Sequence, residues 1–185
     1  MSVLNLFNIN KFNLIFGLVF GCGISLISFK SNAQHKPLFL EPEIAIGKVI
    51  GNYPNFPATD LRTGLSLSYG IIHNDSVRSW PSYFNYPATG ITLAIHRLGN
   101  DAVYGYEAFL MPFVAISPSK KSVSPLWIKL GMGASYFTKH HFSEGNEDNL
   151  SIGSAWNWAF QVHVYKSWML SDHVGMRAGL GFLHA

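Results

Sequence analysis

Between Trp156 and Tyr165 every second residue is large and apolar (Trp156, Trp158, Phe160, Val162, Val164), and the residues between them are Asn157, Ala159, Gln161, His163 and Tyr165. Successive side chains of a strand point to opposite faces, whereas a helix repeats every 3.6 residues, so this spacing demands a two-faced β-strand. The last stretch obeys the same rule. Val174, Met176, Ala178, Leu180, Phe182 and His184 share one parity, opposite His173, Gly175, Arg177, Gly179, Gly181 and Leu183. His184 is the exception on an otherwise apolar face.

The pattern recurs along the chain, punctuated by turn formers, and no segment carries a convincing helical period. Strands are expected at about Leu40 to Ile50, Thr63 to Ile71, Gly90 to Arg97, Tyr104 to Ile116, Trp127 to Phe137, Trp156 to Tyr165 and Val174 to His184. Pro112 inside the fourth implies a bulge or an edge. The connection from His73 to Pro87 is long and dense in aromatics, which argues for order. Alternation alone fits either a soluble barrel with an apolar inside or an outer-membrane barrel with an apolar outside. Size favours the second: Trp, Phe and Tyr are bulky for a narrow lumen, and Gly, Ser and Ala suit it. Trp127, Tyr136, Trp156 and Trp168 at strand ends fit interfacial girdles. The expected fold is an all-β, antiparallel up-and-down outer-membrane β-barrel. Seven strands are visible of the eight that the smallest such barrels have, and the closing strand is missing.

Composition agrees. Of 185 residues, 48% are hydrophobic and only 12% charged, about half the charged share of a soluble domain. Lys11, the apolar run Phe12 to Phe29 and the small-x-small pattern Ser31-Asn32-Ala33 read as a secretory signal peptide over residues 1–33, followed by a barrel domain over 34–185. An uncleaved anchor and acylation at Cys22 are the weaker readings of that segment. Losing it removes Lys11 and Lys30, leaving 11 basic against 10 acidic residues, so the net charge falls from +3 to +1. Nucleic acid is therefore not an expected partner. With Cys22 in the leader, the domain has no disulfide or thiol chemistry.

Few residues suggest a site. His140 and His141 are adjacent and point apart on extended backbone, with no cysteine or carboxylate at ligand spacing, so no metal is expected. His96-Arg97 and His163 read as polar interior or interface residues, and Glu107 as a lumen charge pairing with Lys129 or Arg177. No nucleophile-elbow, Ser-x-x-Lys or phosphate-loop motif occurs, and no cofactor is expected.

Tyr83-Phe84-Asn85-Tyr86-Pro87 with Gly90, Leu98-Gly99-Asn100, Pro112-Phe113, Gly131-x-Gly133 with Tyr136-Phe137-Thr138-Lys139, Asn149-x-x-Ile152-Gly153-Ser154, and Gly179-x-Gly181-Phe182-x-His184 resemble, in order and spacing, the outer-membrane lipid A deacylases (PagL type, acyloxyacyl-hydrolase-like branch). The resemblance spans nearly all of residues 34–185. It implies an esterase that removes an ester-linked acyl chain from lipid A, with lipopolysaccharide in the outer leaflet as partner and no cofactor. It also implies that His184 is the catalytic base of a His-x-Ser-Asn motif. Here Ala185 takes the x position and the sequence stops before the serine, so the chain reads as a C-terminally truncated copy, itself inactive. His and Ser two apart on a strand share a face, which would set the pair on the outer wall beside acyl chains. The alternatives are a non-catalytic small barrel of structural or adhesive role and a soluble lipocalin-like binder. A histidine snorkelling to headgroups is the plain reading of His184 without the resemblance.

Overall fold

A computed structural model of the chain describes residues 38–74, 78–118, 126–142 and 144–185, together with the backbone of 21–31. It is all-β. The strands are β1 (Gly21–Ser31), β2 (Leu38–Lys48), β3 (Leu61–Ile72), β4 (Ala88–Arg97), β5 (Tyr106–Ile116), β6 (Leu126–Phe137), β7 (Trp156–Met169) and β8 (Val174–His184). Strands β2 to β8 form one curled antiparallel sheet in chain order, and they match the seven segments read from alternation to within a few residues.

The eighth position, expected to be vacant, is taken by Gly21–Ser31, which pairs antiparallel with both β2 and β8 and closes the barrel. That segment lies inside the stretch read as a leader; the proposed cleavage point, after Ala33, falls outside the described residues. Gly21-Cys22-Gly23-Ile24-Ser25 alternates small with larger residues, which suits a strand, and adjacent Leu26 and Ile27 break the alternation. The register shifts there on both sides. By contrast, β2 and β3 run in unbroken register from Leu38↔Ile71 to Lys48↔Leu61.

Pro112 causes neither bulge nor edge. It lies in β5 between β4 and β6, opposite Ile91; toward β6 the ladder omits the pairs of Met111 and Pro112 and resumes at Phe113↔Gly131 in the same register. Proline has no N–H to give, and the strand tolerates one missing rung. The aromatic connection after β3 contains one helical turn, α1 (Trp80–Tyr83), with Pro81 buried at its start. Asn85 and Tyr86 follow it with φ of 56° and 57°, and the Tyr86 N–H donates to the Pro81 carbonyl at 2.7 Å.

The outside of the wall is apolar: Ile44, Leu65, Leu67, Leu93, Ile95, Leu110, Met132, Trp158 and Leu180 are all exposed. Aromatics also occupy the inside, contrary to the size argument. Phe39, Phe109, Phe113, Phe137 and Tyr165 are buried, and glycines opposite them make the room. A Cβ on Gly70 would sit 2.5 Å from the Phe39 ring, the large-against-small filling of a narrow barrel. Trp127 belongs to this inner set rather than to a girdle, packing against the Phe39–Phe113 cluster and stacking on Tyr165 at 6.4 Å. Trp156 does stand outside, 69% exposed and 5.1 Å from the Tyr136 ring.

Candidate functional site

His184 is the last residue of β8, opposite Phe160 on β7. Strand parity puts it on the outer wall with Leu180 and Phe182, and it is exposed. Its ring stacks nearly parallel on Phe182, with centroids 6.5 Å apart and an interplanar angle of 7°. Among the described residues no hydroxyl or carboxylate hydrogen-bonds to it. An imidazole so placed is open to a ligand approaching from outside the barrel.

The surroundings are built by three connections at the same end of the barrel. Residues 49–60, 98–105 and 138–155 are tied together by Tyr53 Oη donating to the Asp148 carbonyl at 2.7 Å and by Asn146 and Asn149 Nδ2 donating to the Val103 carbonyl at 2.9 and 3.0 Å. Beneath them Leu98, Tyr104, Phe137 and Ile152 form a buried plug, against which Ala185 packs. The residue after His184 is thus anchored in the barrel end, and the strand delivers the histidine to the rim of the outer wall. Away from His184, across β2 to β6 with Trp156 of β7 at its edge, lies an apolar groove of about 1080 Å³ bordered by Ile44, Leu65, Ile95 and Leu110, with no residue of β8 in its lining.

The other singled-out residues lie elsewhere. His96, His163 and Glu107 all face the lumen. Glu107 does not pair with Lys129 or Arg177, the partners expected from the sequence; its Oε2 accepts from Arg62 Nη2 at 3.0 Å and lies 3.5 Å from His96 Nδ1, and Arg62 also contacts His96. Arg177 instead pairs with Glu41 and donates to Tyr165 Oη at 3.3 Å. Lys129 donates to Ser68 Oγ at 2.8 Å and lies over the Phe113 ring at 4.3 Å. His163 Nδ1 is 3.8 Å from Glu43 Oε1. Together these groups leave a lumen cavity of about 40 Å³, room for a few waters at most. The sequence reading passed over Arg62, Glu41 and Glu43. Each shares parity with glycine, serine or alanine on its own strand, and a charge on that parity must find a partner inside.

His140 and His141 do not form a cluster with other ligating side chains; among the described residues no group of three potential metal ligands exists. His141 packs edge-on against Phe142, and the His140 carbonyl accepts from Asn146 at 2.9 Å.

In comparisons with protein-family models, curated proteins and solved structures, nothing matches this chain. The site is therefore interpreted from its own chemistry.

Proposed function

We propose that the protein is an outer-membrane barrel esterase of the lipid A deacylase kind, acting on an ester-linked acyl chain from the outer wall. The observation that carries this reading is His184: an exposed imidazole at the end of β8, sharing the outward parity of Leu180 and Phe182 and stacked on the Phe182 ring. Ionisable side chains against hydrocarbon are costly and are usually functional. On this reading the base serves a substrate that lies in the same bilayer.

In the proposed step His184 takes the proton of a serine hydroxyl as the oxygen attacks the ester carbonyl, then returns it to the departing sugar hydroxyl. Water resolves the acyl-serine in the reverse sense, releasing a fatty acid. The serine would follow two residues after His184, on the same face, one position past Ala185. The test measures free fatty acid released from purified lipid A in detergent micelles. It compares the chain extended by Ser-Asn after Ala185 with the His184→Ala variant of that longer chain. The longer chain should release fatty acid. His184→Ala in the longer chain should lower turnover by several orders of magnitude, since base and nucleophile act as a unit. Undiminished hydrolysis in that variant would remove His184 from the mechanism.

A non-catalytic structural barrel is the second reading. The observation in its favour is the lumen, packed with aromatics and paired charges in the manner of a rigid wall element.

A further inference from the structure

The connection from β3 to β4 turns its polar groups inward and its rings outward. From Ser79 to Pro87 it holds no charged residue and four large aromatics, Trp80, Tyr83, Phe84 and Tyr86. All four are exposed, Tyr83 to 73%. The residues between them fasten the loop. Ser82 Oγ donates to the Ser79 carbonyl at 2.7 Å, Asn85 Nδ2 donates to the Ser117 carbonyl at 2.5 Å, and Pro81 and Pro87 are buried. At the base the His73 N–H donates to the Pro87 carbonyl at 2.9 Å, and the His73 ring packs against Trp80 at 5.1 Å. The backbone is strained to hold this form. Asn85 and Tyr86 both have positive φ, a region that glycine enters freely and a bulky side chain rarely does. Such strain persists only where the surrounding structure imposes it, and it gathers at segments that contact ligands. Exposed rings and a backbone held against its preference therefore fall on one loop.

The wall below the loop points to the occupant. At this end of β3, β4 and β5 the outward residues Tyr69, Ile91 and Val114 are exposed, with Tyr69 opposite Ile91 and Val114 opposite Thr89. Thr89 is the hydroxyl that stands between wall and loop on β4, and its Oγ1 is hydrogen-bonded to His73 Nε2 at 2.8 Å. The apolar wall thus leads up to the rings. A protein or a sugar would be read by hydrogen-bonding groups as well as by rings, and Ser82 and Asn85 have turned theirs to the backbone. The tyrosines present an apolar body with a hydroxyl at its tip, the form that suits a boundary apolar on one side and wet on the other. We infer that the loop 79–87 is an interfacial anchor: its rings sit between the headgroups and acyl chains of a lipid leaflet and hold this rim of the barrel at that level. The inference rests on the membrane setting proposed above and is independent of His184 and its chemistry.

The experiment uses the full chain with Cys22→Ser, refolded into phosphatidylcholine vesicles and carrying a fluorophore at Ser82→Cys in the loop or at Leu93→Cys in the wall. Lipids with a nitroxide near the ester carbonyls or near the chain ends report depth, and aqueous iodide reports exposure to water. The loop label should be quenched most by the shallow nitroxide and shielded from iodide, and the wall label should be quenched most by the deep one. Tyr83→Ser with Phe84→Ser should release the loop label to water and raise its iodide quenching about threefold or more. Phe84→Trp should keep the parent's values. A wall label quenched by the deep nitroxide beside a loop label open to iodide and untouched by either lipid would overturn the anchor and leave the membrane setting standing. A wall label that neither lipid quenches would remove the membrane setting, and the anchor with it. Shielding of the loop label from iodide without nitroxide quenching would place another copy of the chain over the rings and would also overturn the inference. If the double serine variant does not refold, the depth and shielding of the loop label in the parent decide.

Discussion

The two faces of β7 are inverse halves of one strand. Outward stand Trp156, Trp158, Phe160 and Val164, all at least 40% exposed, and inward stand Ala159, Gln161 and Tyr165, all below 9%. A water-soluble protein buries the first set and exposes the second. Here apolar bulk faces out, while Arg62, Glu107, Lys129, Glu41 and Gln161 are almost fully covered. What the contrast teaches is that burial and polarity have been uncoupled: the inside is cohesive through paired charges, and the outside carries the apolar bulk. That inversion supports the proposed membrane setting more directly than composition does.

The largest way to break the contrast is from the inside. Glu107→Leu strips the carboxylate from Arg62 and leaves a buried guanidinium without its counter-charge, which should cost about 3–5 kcal/mol. The combined Arg62→Leu and Glu107→Leu variant should recover much of that loss. Urea titrations of the folded, heat-modifiable band would measure both; a single variant as stable as the parent would show that the pair contributes nothing.

From the outside the effect is smaller and depends on the solvent. Leu93, mid-strand on β4 and 55% exposed, should cost about 2–4 kcal/mol when changed to Arg if it faces the bilayer midplane. On a water-facing surface the same change should stay within about 0.5 kcal/mol. Folding titrations into lipid vesicles decide between the two, so this variant also tests the outer-membrane assignment.

Alternation made the seven strands of β2 to β8 legible, and with them the face of nearly every residue: Gln161 and His163 in, Val164 and His184 out. Face is a local property, fixed by parity, so sequence suffices. Partners are not local. Glu107 could be assigned to the lumen, but its choice of Arg62 over Lys129 and Arg177 follows from the β3–β4–β5 stagger, which sets Arg97 opposite Tyr106 and His96 opposite Glu107. Trp127 was misread because position at a strand end outweighed its parity with Lys129. The turn at Trp80–Tyr83 carries no periodic signal in so short a run, and only Pro81 at its start hinted at it. Of the candidate site, His184 and its outward face were readable; the plug that holds Ala185 joins residues from three connections and was not.

At His184 itself stability should hardly move. Its ring is exposed and its contact is one stacked phenylalanine, so His184→Ala should shift the urea midpoint by about 0.5 kcal/mol or less. A large loss of stability would make this residue a structural member of the wall and weaken its assignment as a base.

The smallest effect lies at the polar rim, where the inside–outside contrast fades into water. Arg97 Nε donates to both carboxylate oxygens of Asp101, at 2.9 and 3.0 Å, across the turn that begins at Leu98. This hydrogen bond, with the charge of Arg97 behind it, holds the Asp101 carboxyl below its ordinary value. A carboxyl lowered on folding contributes stability above its unfolded value and loses it as pH falls through the folded one. The difference between the parent and Asp101→Asn should therefore be small and flat from neutral pH down to about 3.9, then close as the pH drops further. Both groups are open to water and screened by salt, so raising the ionic strength should shrink even that difference. Matched urea titrations over this pH range provide the check. A difference that grew on acidification would mean that Asp101 is stabilised in its protonated form, and the rim ion pair would have to be given up.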